Sequence, residues 1–155
     1  MSATEATRME FFGLGDKTSL ICADHGPAET VRVALKELGY KCHQAEVGEL
    51  AIERLRYQAY DVVVLQETFA GSSLRSNPVL NFIAPLPMAQ RRNSFVCLIG
   101  PSFKTLDAMQ AFAHSVHLVV NPSDIANLAA ILKKSLMEFE LAYKAFKDAT
   151  SAANS

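Results

Sequence analysis

Asp24 and His25 stand side by side directly after the apolar run TSLICA, and a carboxylate next to an imidazole is a pair that could bind a metal ion. A lone pair of this kind in a loop is far more often a helix cap or a solvated turn. The other histidines, His43, His114 and His117, are too dispersed to argue for a shared site. Ser72, Ser73 and Ser102 supply hydroxyls, but no His and Asp arrangement accompanies them, so none reads as an activated nucleophile. Cys22, Cys42 and Cys97 are odd in number and widely spaced, which suits neither a disulfide framework nor a CxxC-type zinc site; they read as buried, reduced thiols. The glycines of Phe12-Gly13-Leu14-Gly15 precede the first strand, so they cannot form the phosphate loop of a dinucleotide-binding fold. No cofactor or metal is implied, and the chain reads as a non-enzyme.

The elements that position these residues follow from hydrophobic patterning. Short apolar runs recur at 18 to 23, 41 to 46, 61 to 66, 94 to 99 and 116 to 121. DVVVLQ, FVCLI and VHLVV are near-continuous, as parallel strands covered on both faces should be. Between them, residues 27 to 38 form a helix with Pro27 in its first turn, Val31, Leu35 and Leu38 on one face, and Gly39 as its stop. Residues 49 to 58 repeat the pattern. Helices are expected around 76 to 90, where Pro85-Leu86-Pro87 should end or distort the run, around 104 to 114, and from 124 to 148. Five alternations of strand and helix imply βαβ units and an open parallel sheet, whose functional crevice lies beyond the carboxyl ends of the strands.

With 155 residues, 50% of them apolar, one domain with a substantial core is expected. The formal charge is −1, from 15 basic and 16 acidic residues that are scattered, so no footprint for nucleic acid or an anionic membrane stands out; Arg91-Arg92, the one short basic cluster, reads as a solvated helix end. MSATEATRMEFF lacks the pattern of a secretory leader, and no apolar run approaches membrane-spanning length. The expected location is the cytoplasm.

The segment KTSLICADHGPAETVRVALKELGYKCHQAEVGELAIERLRYQAYDVVVLQ resembles the first three strands and two helices of a bacterial response-regulator receiver domain, including Gly39, Gly48 and the Asp61 that opens the third strand. The resemblance spans about residues 17 to 136. It implies a flavodoxin-like three-layer α/β fold with strand order 2-1-3-4-5. It also implies where receiver chemistry would sit. The acidic pair that holds Mg²⁺ becomes Ala23 and Asp24, the phosphoacceptor aspartate becomes Gln66, the hydroxyl position falls on Gly100 with Ser102 nearby, and the lysine becomes Asn121. An amide oxygen is a poor nucleophile and brings no charge to Mg²⁺, so four of five functional positions are changed and the pattern is that of a pseudo-receiver. Pro122 is retained, which makes Asn121-Pro122 a candidate cis bond. Glu67 could replace the acceptor only if a bulge turned it into the pocket, because adjacent strand residues point to opposite sides.

The C-terminal helix, with Ser123 or Asp124 as its expected N-cap, is longer than the ~12 to 15 residues needed to cover such a sheet. Ile125, Leu128, Leu132 and Leu136 should face the sheet. Phe139, Tyr143 and Phe146 continue the stripe beyond it and need cover. A two-fold partner is the expected cover; the alternatives are the chain's own domain, including the apolar Met9 to Leu14 segment, or another protein. The domain organisation expected is an N-terminal arm at 1–16, the receiver-like body at 17–136 and a helical extension and tail at 137–155, with 1–16 and 149–155 frayed at the ends. The function expected is a phosphorylation-independent signalling or scaffold module that binds protein, itself included. The alternative is a small-ligand sensor using the altered crevice at Asp24, Gln66, Gly100 and Asn121.

Overall fold

The computed structural model describes residues 11–87, 90 and 93–153, and only the backbone of 146, 147 and 150–153. The expectations for residues 1–10, 154 and 155, for Arg91-Arg92 and for the Phe146 side chain lie outside this description.

Five strands, β1 (Thr18–Cys22), β2 (Lys41–Ala45), β3 (Val62–Gln66), β4 (Phe95–Ile99) and β5 (Leu118–Val120), form one parallel sheet in the order β2-β1-β3-β4-β5. The near-continuous apolar runs are explained by cover on both faces. Ile21, Val62, Val64 and Cys97 pack beneath α1 (His25–Glu37) and the C-terminal helix α5 (Leu128–Ala153). Leu20, Val63, Leu65 and Leu98 pack beneath α2 (Gly48–Tyr57), α3 (Pro78–Ile83) and α4 (Ala108–Ala113). All three cysteines are buried and unpaired, and burial alone pushes the Cys22 and Cys97 thiols far above their usual range.

Local signals end the helices. After α1, Gly39 at φ +88° lets its N–H reach the Lys36 carbonyl and the Tyr40 N–H reach Leu35, a Schellman closure. The third helix stops at Ile83, well short of residue 90, because Pro85 and Pro87 cannot continue it. The start of the last helical run differs from expectation. Residues Pro122–Asn127 form a 3₁₀ segment, and Asn121, not Ser123 or Asp124, caps it by accepting the Ser123 N–H at 2.9 Å. Asn121-Pro122 is trans, since no cis peptide occurs among the described residues; the loop is shaped by the Asn121 side chain, whose Nδ2 also donates to the Phe103 carbonyl at 2.8 Å.

Along α5, Leu128, Leu132 and Leu136 are buried and Ile125 packs partly against them, as the stripe requires. The helix has 26 residues, about 39 Å at 1.5 Å per residue. Phe139 is half-buried on its own domain, its ring 4.9 Å from His117 and 5.5 Å from Phe95, and it stacks on Tyr143 at 6.4 Å. At the other end of the chain, Phe12 stacks on His43 with ring centroids 3.8 Å apart, and His43 Nδ1 lies 2.8 Å from the Tyr60 hydroxyl. Phe11 and Leu14 on either side of it are exposed.

Candidate functional site

The sheet register brings the strand ends together. Cys22 pairs with Leu65, Gln66 with Ile99 and Ile99 with Val120, so Ala23, Gln66, Gly100 and Asn121 emerge along one edge, at the switch point where β1 and β3 lie side by side. Every crevice position expected from the sequence is therefore gathered at one end of the sheet.

Their side chains are engaged with each other. Gln66 Oε1 accepts the Asp24 backbone N–H at 2.7 Å, and its Nε2 donates to Thr68 Oγ1 at 3.3 Å. Asp24 precedes α1 but makes no side-chain cap; its Oδ1 instead accepts the Ala70 N–H at 2.9 Å. Ala70 has φ +54°, a left-handed conformation that a residue with a Cβ adopts at some cost, so this contact helps hold the β3–α3 loop in an unusual shape. Beneath it, fully buried Asn77 donates to the carbonyls of Gln66 and Glu67 and accepts the N–H groups of Val79 and Leu80, tying β3 to the start of α3. Asn121 N–H donates to Thr105 Oγ1 at 2.8 Å, and that hydroxyl donates to Asp124. Pro122 opens the 3₁₀ turn that follows.

Glu67 holds the relationship that sequence reasoning missed. Gln66 turns to the β1 side, and Glu67 lies under Gly100, only 5% exposed. A Cβ on residue 100 would sit 2.0 Å from Glu67 Oε2 and 2.5 Å from Glu67 Cβ, so glycine at 100 is a steric requirement of this carboxylate. A hydroxyl stands two residues on. Ser102 Oγ donates to Glu67 Oε1 at 2.5 Å, and the Ser102 N–H donates to Oε2 at 3.3 Å. An acidic residue one place beyond a strand, with a glycine one place beyond its neighbour strand, was the available signal.

Chemically, Gln66 brings a neutral amide whose oxygen is engaged by the Asp24 N–H, and Asn121 brings one whose Nδ2 donates to a backbone carbonyl. Among the described residues no group of three or more His, Cys, Asp or Glu side chains could hold a metal ion. No helix among them is long and apolar enough to cross a membrane. On the opposite half of the sheet's end, α4 turns Met109 and Phe112 outward, 76% and 80% exposed, beside half-exposed Leu106.

No protein-family model matches the chain, and no curated protein matches it. Receiver domains are among the solved structures that it is similar to. The receiver domain of Francisella response regulator 1452 is 15% identical, with 82% of this chain and 99% of that one covered at TM-score 0.60. A CheY-like receiver domain from Methylobacillus flagellatus is 22% identical over 78% of this chain and 99% of that one, at TM-score 0.55. A third similar structure is a yeast Spc42 trimeric coiled coil fused to another protein, 20% identical over 87% of this chain and 85% of that one, at TM-score 0.62. The chain has the flavodoxin-like receiver fold.

Proposed function

We propose that this chain is a signalling or scaffold module on the receiver fold that works without phosphorylation, through protein–protein contacts. The observation that carries the reading is that Gln66, the residue the resemblance sets at the acceptor position, is used as a strut between β3 and the backbone of Asp24. Asp24, Gln66 and Asn121 are all hydrogen-bonded within the chain, which favours a structural crevice over one that binds a small ligand.

The chain divides functionally into a packed body at 17–136, an arm at 1–16 whose Phe12 docks on His43, and an extension at 137–155. Self-association through that extension is supported by the length of α5 and by Leu141 standing 67% exposed on it. Tyr143 is the aromatic position offered to the partner copy, on the stripe that Phe146 continues in the sequence; Phe139 closes the domain's own core and supports the base of the extension.

Native mass spectrometry before and after incubation with Mg²⁺ and acetyl phosphate tests this reading. The expected result is a dimer in both spectra with no added phosphoryl group, converted to monomer by Leu141→Glu with Tyr143→Glu. Assembly that changes with phosphoryl incorporation would overturn it.

A further inference from the structure

The carboxylate of Glu67 takes its hydrogen bonds from Ser102 by two routes, side chain to Oε1 and backbone N–H to Oε2. It fits only because Gly100 has no Cβ. Ser102 is in turn the anchor of the loop that leads to α4. Its carbonyl accepts Gln110 Nε2 at 3.3 Å, while Gln110 Oε1 accepts the Lys104 N–H at 2.7 Å and the Gln110 N–H donates to Asp107 Oδ1 at 3.0 Å. Gln110 belongs to α4, so an unbroken series of hydrogen bonds runs from a buried carboxylate at the end of β3 to that helix. The same loop holds Leu106 at φ +68°, with its N–H on the Val119 carbonyl at 3.0 Å. A branched side chain adopts that conformation only where its surroundings impose it.

We infer that Glu67 is a built-in anionic clamp, which through Ser102 and Gln110 holds the β4–α4 loop and α4 in a single position, so that no added anion is needed to set them. This rests on the reading that the crevice takes no phosphoryl group, and it adds the device that replaces one. A carboxylate fixed by the fold accepts the hydroxyl and N–H that an added anion would otherwise draw in, and it does so at all times. The signal-responsive step is then absent from the loop.

Hydrogen exchange followed by mass spectrometry on the full chain tests the clamp, comparing the wild type with Glu67→Gln and with Ser102→Ala. Both variants should speed exchange about tenfold across residues 101–113 and leave β1 and β3 protected as in the wild type. Should Glu67→Gln fail to fold, Ser102→Ala, which removes only an oxygen atom, reads the same segment. Unchanged exchange at 101–113, or acceleration spread evenly over every strand, would overturn the clamp. Intact mass after acetyl phosphate treatment of a parallel sample separates the two readings: a phosphoryl group there refutes phosphorylation independence, whereas the exchange data on untreated protein judge the clamp itself.

Discussion

Gln66 Oε1 lies 2.7 Å from the backbone nitrogen of Asp24, so the end of β3 is braced against the start of the first helix. Gln66→Ala removes that brace and the bond to Thr68, leaving the Asp24 N–H to find water. Because the crevice mouth is partly open, the cost is about 1 kcal/mol, measured as a lower urea midpoint with an unchanged slope. The oligomeric state should not change.

Gly100 offers a sharper test of packing. Gly100→Ala should destabilise the fold by about 1–3 kcal/mol, since its Cβ meets Glu67 Oε2 at 2.0 Å. Glu67→Ala should not rescue it, because the Glu67 Cβ itself would stand 2.5 Å away; Glu67→Gly should. Equilibrium denaturation of the single and double variants checks this, and rescue by Glu67→Ala would mean that the two backbones are further apart than described.

His43 gives the stability a pH dependence. Burial, aided by the charge of Arg54, lowers its pKa from 6.5 to about 4. The folded state therefore favours the neutral ring, and the unfolded chain takes up the proton first as the pH falls. His43's contribution is complete above about pH 6.5 and is lost progressively between there and about 4. Urea midpoints taken across that window should decline, and His43→Gln should flatten the part of the slope that belongs to this residue. An equal slope in the variant would assign the effect to other groups.

Much of the architecture was legible because its signals are local. Continuous apolar runs mark strands with two covered faces, Gly39 marks a left-handed helix end, and Pro85 and Pro87 mark where α3 must stop. The crevice positions followed from the strand ends. What stayed hidden depends on register between strands distant in sequence. Gly100 lies over Glu67 because Gln66 pairs with Ile99, so the acidic residue and the glycine just beyond two strand ends meet only once that register is known. The same holds for Phe139, whose cover is the aromatic pair Phe95, on β4, and His117, just before β5. The cap on the C-terminal segment was misplaced for a local reason. Asn121, Ser123 and Asp124 are all good capping residues, and the choice fell to Asn121 because its amide also reaches the Phe103 carbonyl.

The central claim, that this receiver-like crevice takes no phosphoryl group, is tested most directly by titrating the ¹⁵N-labelled protein with Mg²⁺ and beryllofluoride, a phosphoryl analogue, while following its amide resonances. The account predicts that the amides of Ala23, Asp24, Gln66, Glu67, Gly100 and Ser102 stay in place at all concentrations. Saturable shifts at those residues would contradict it.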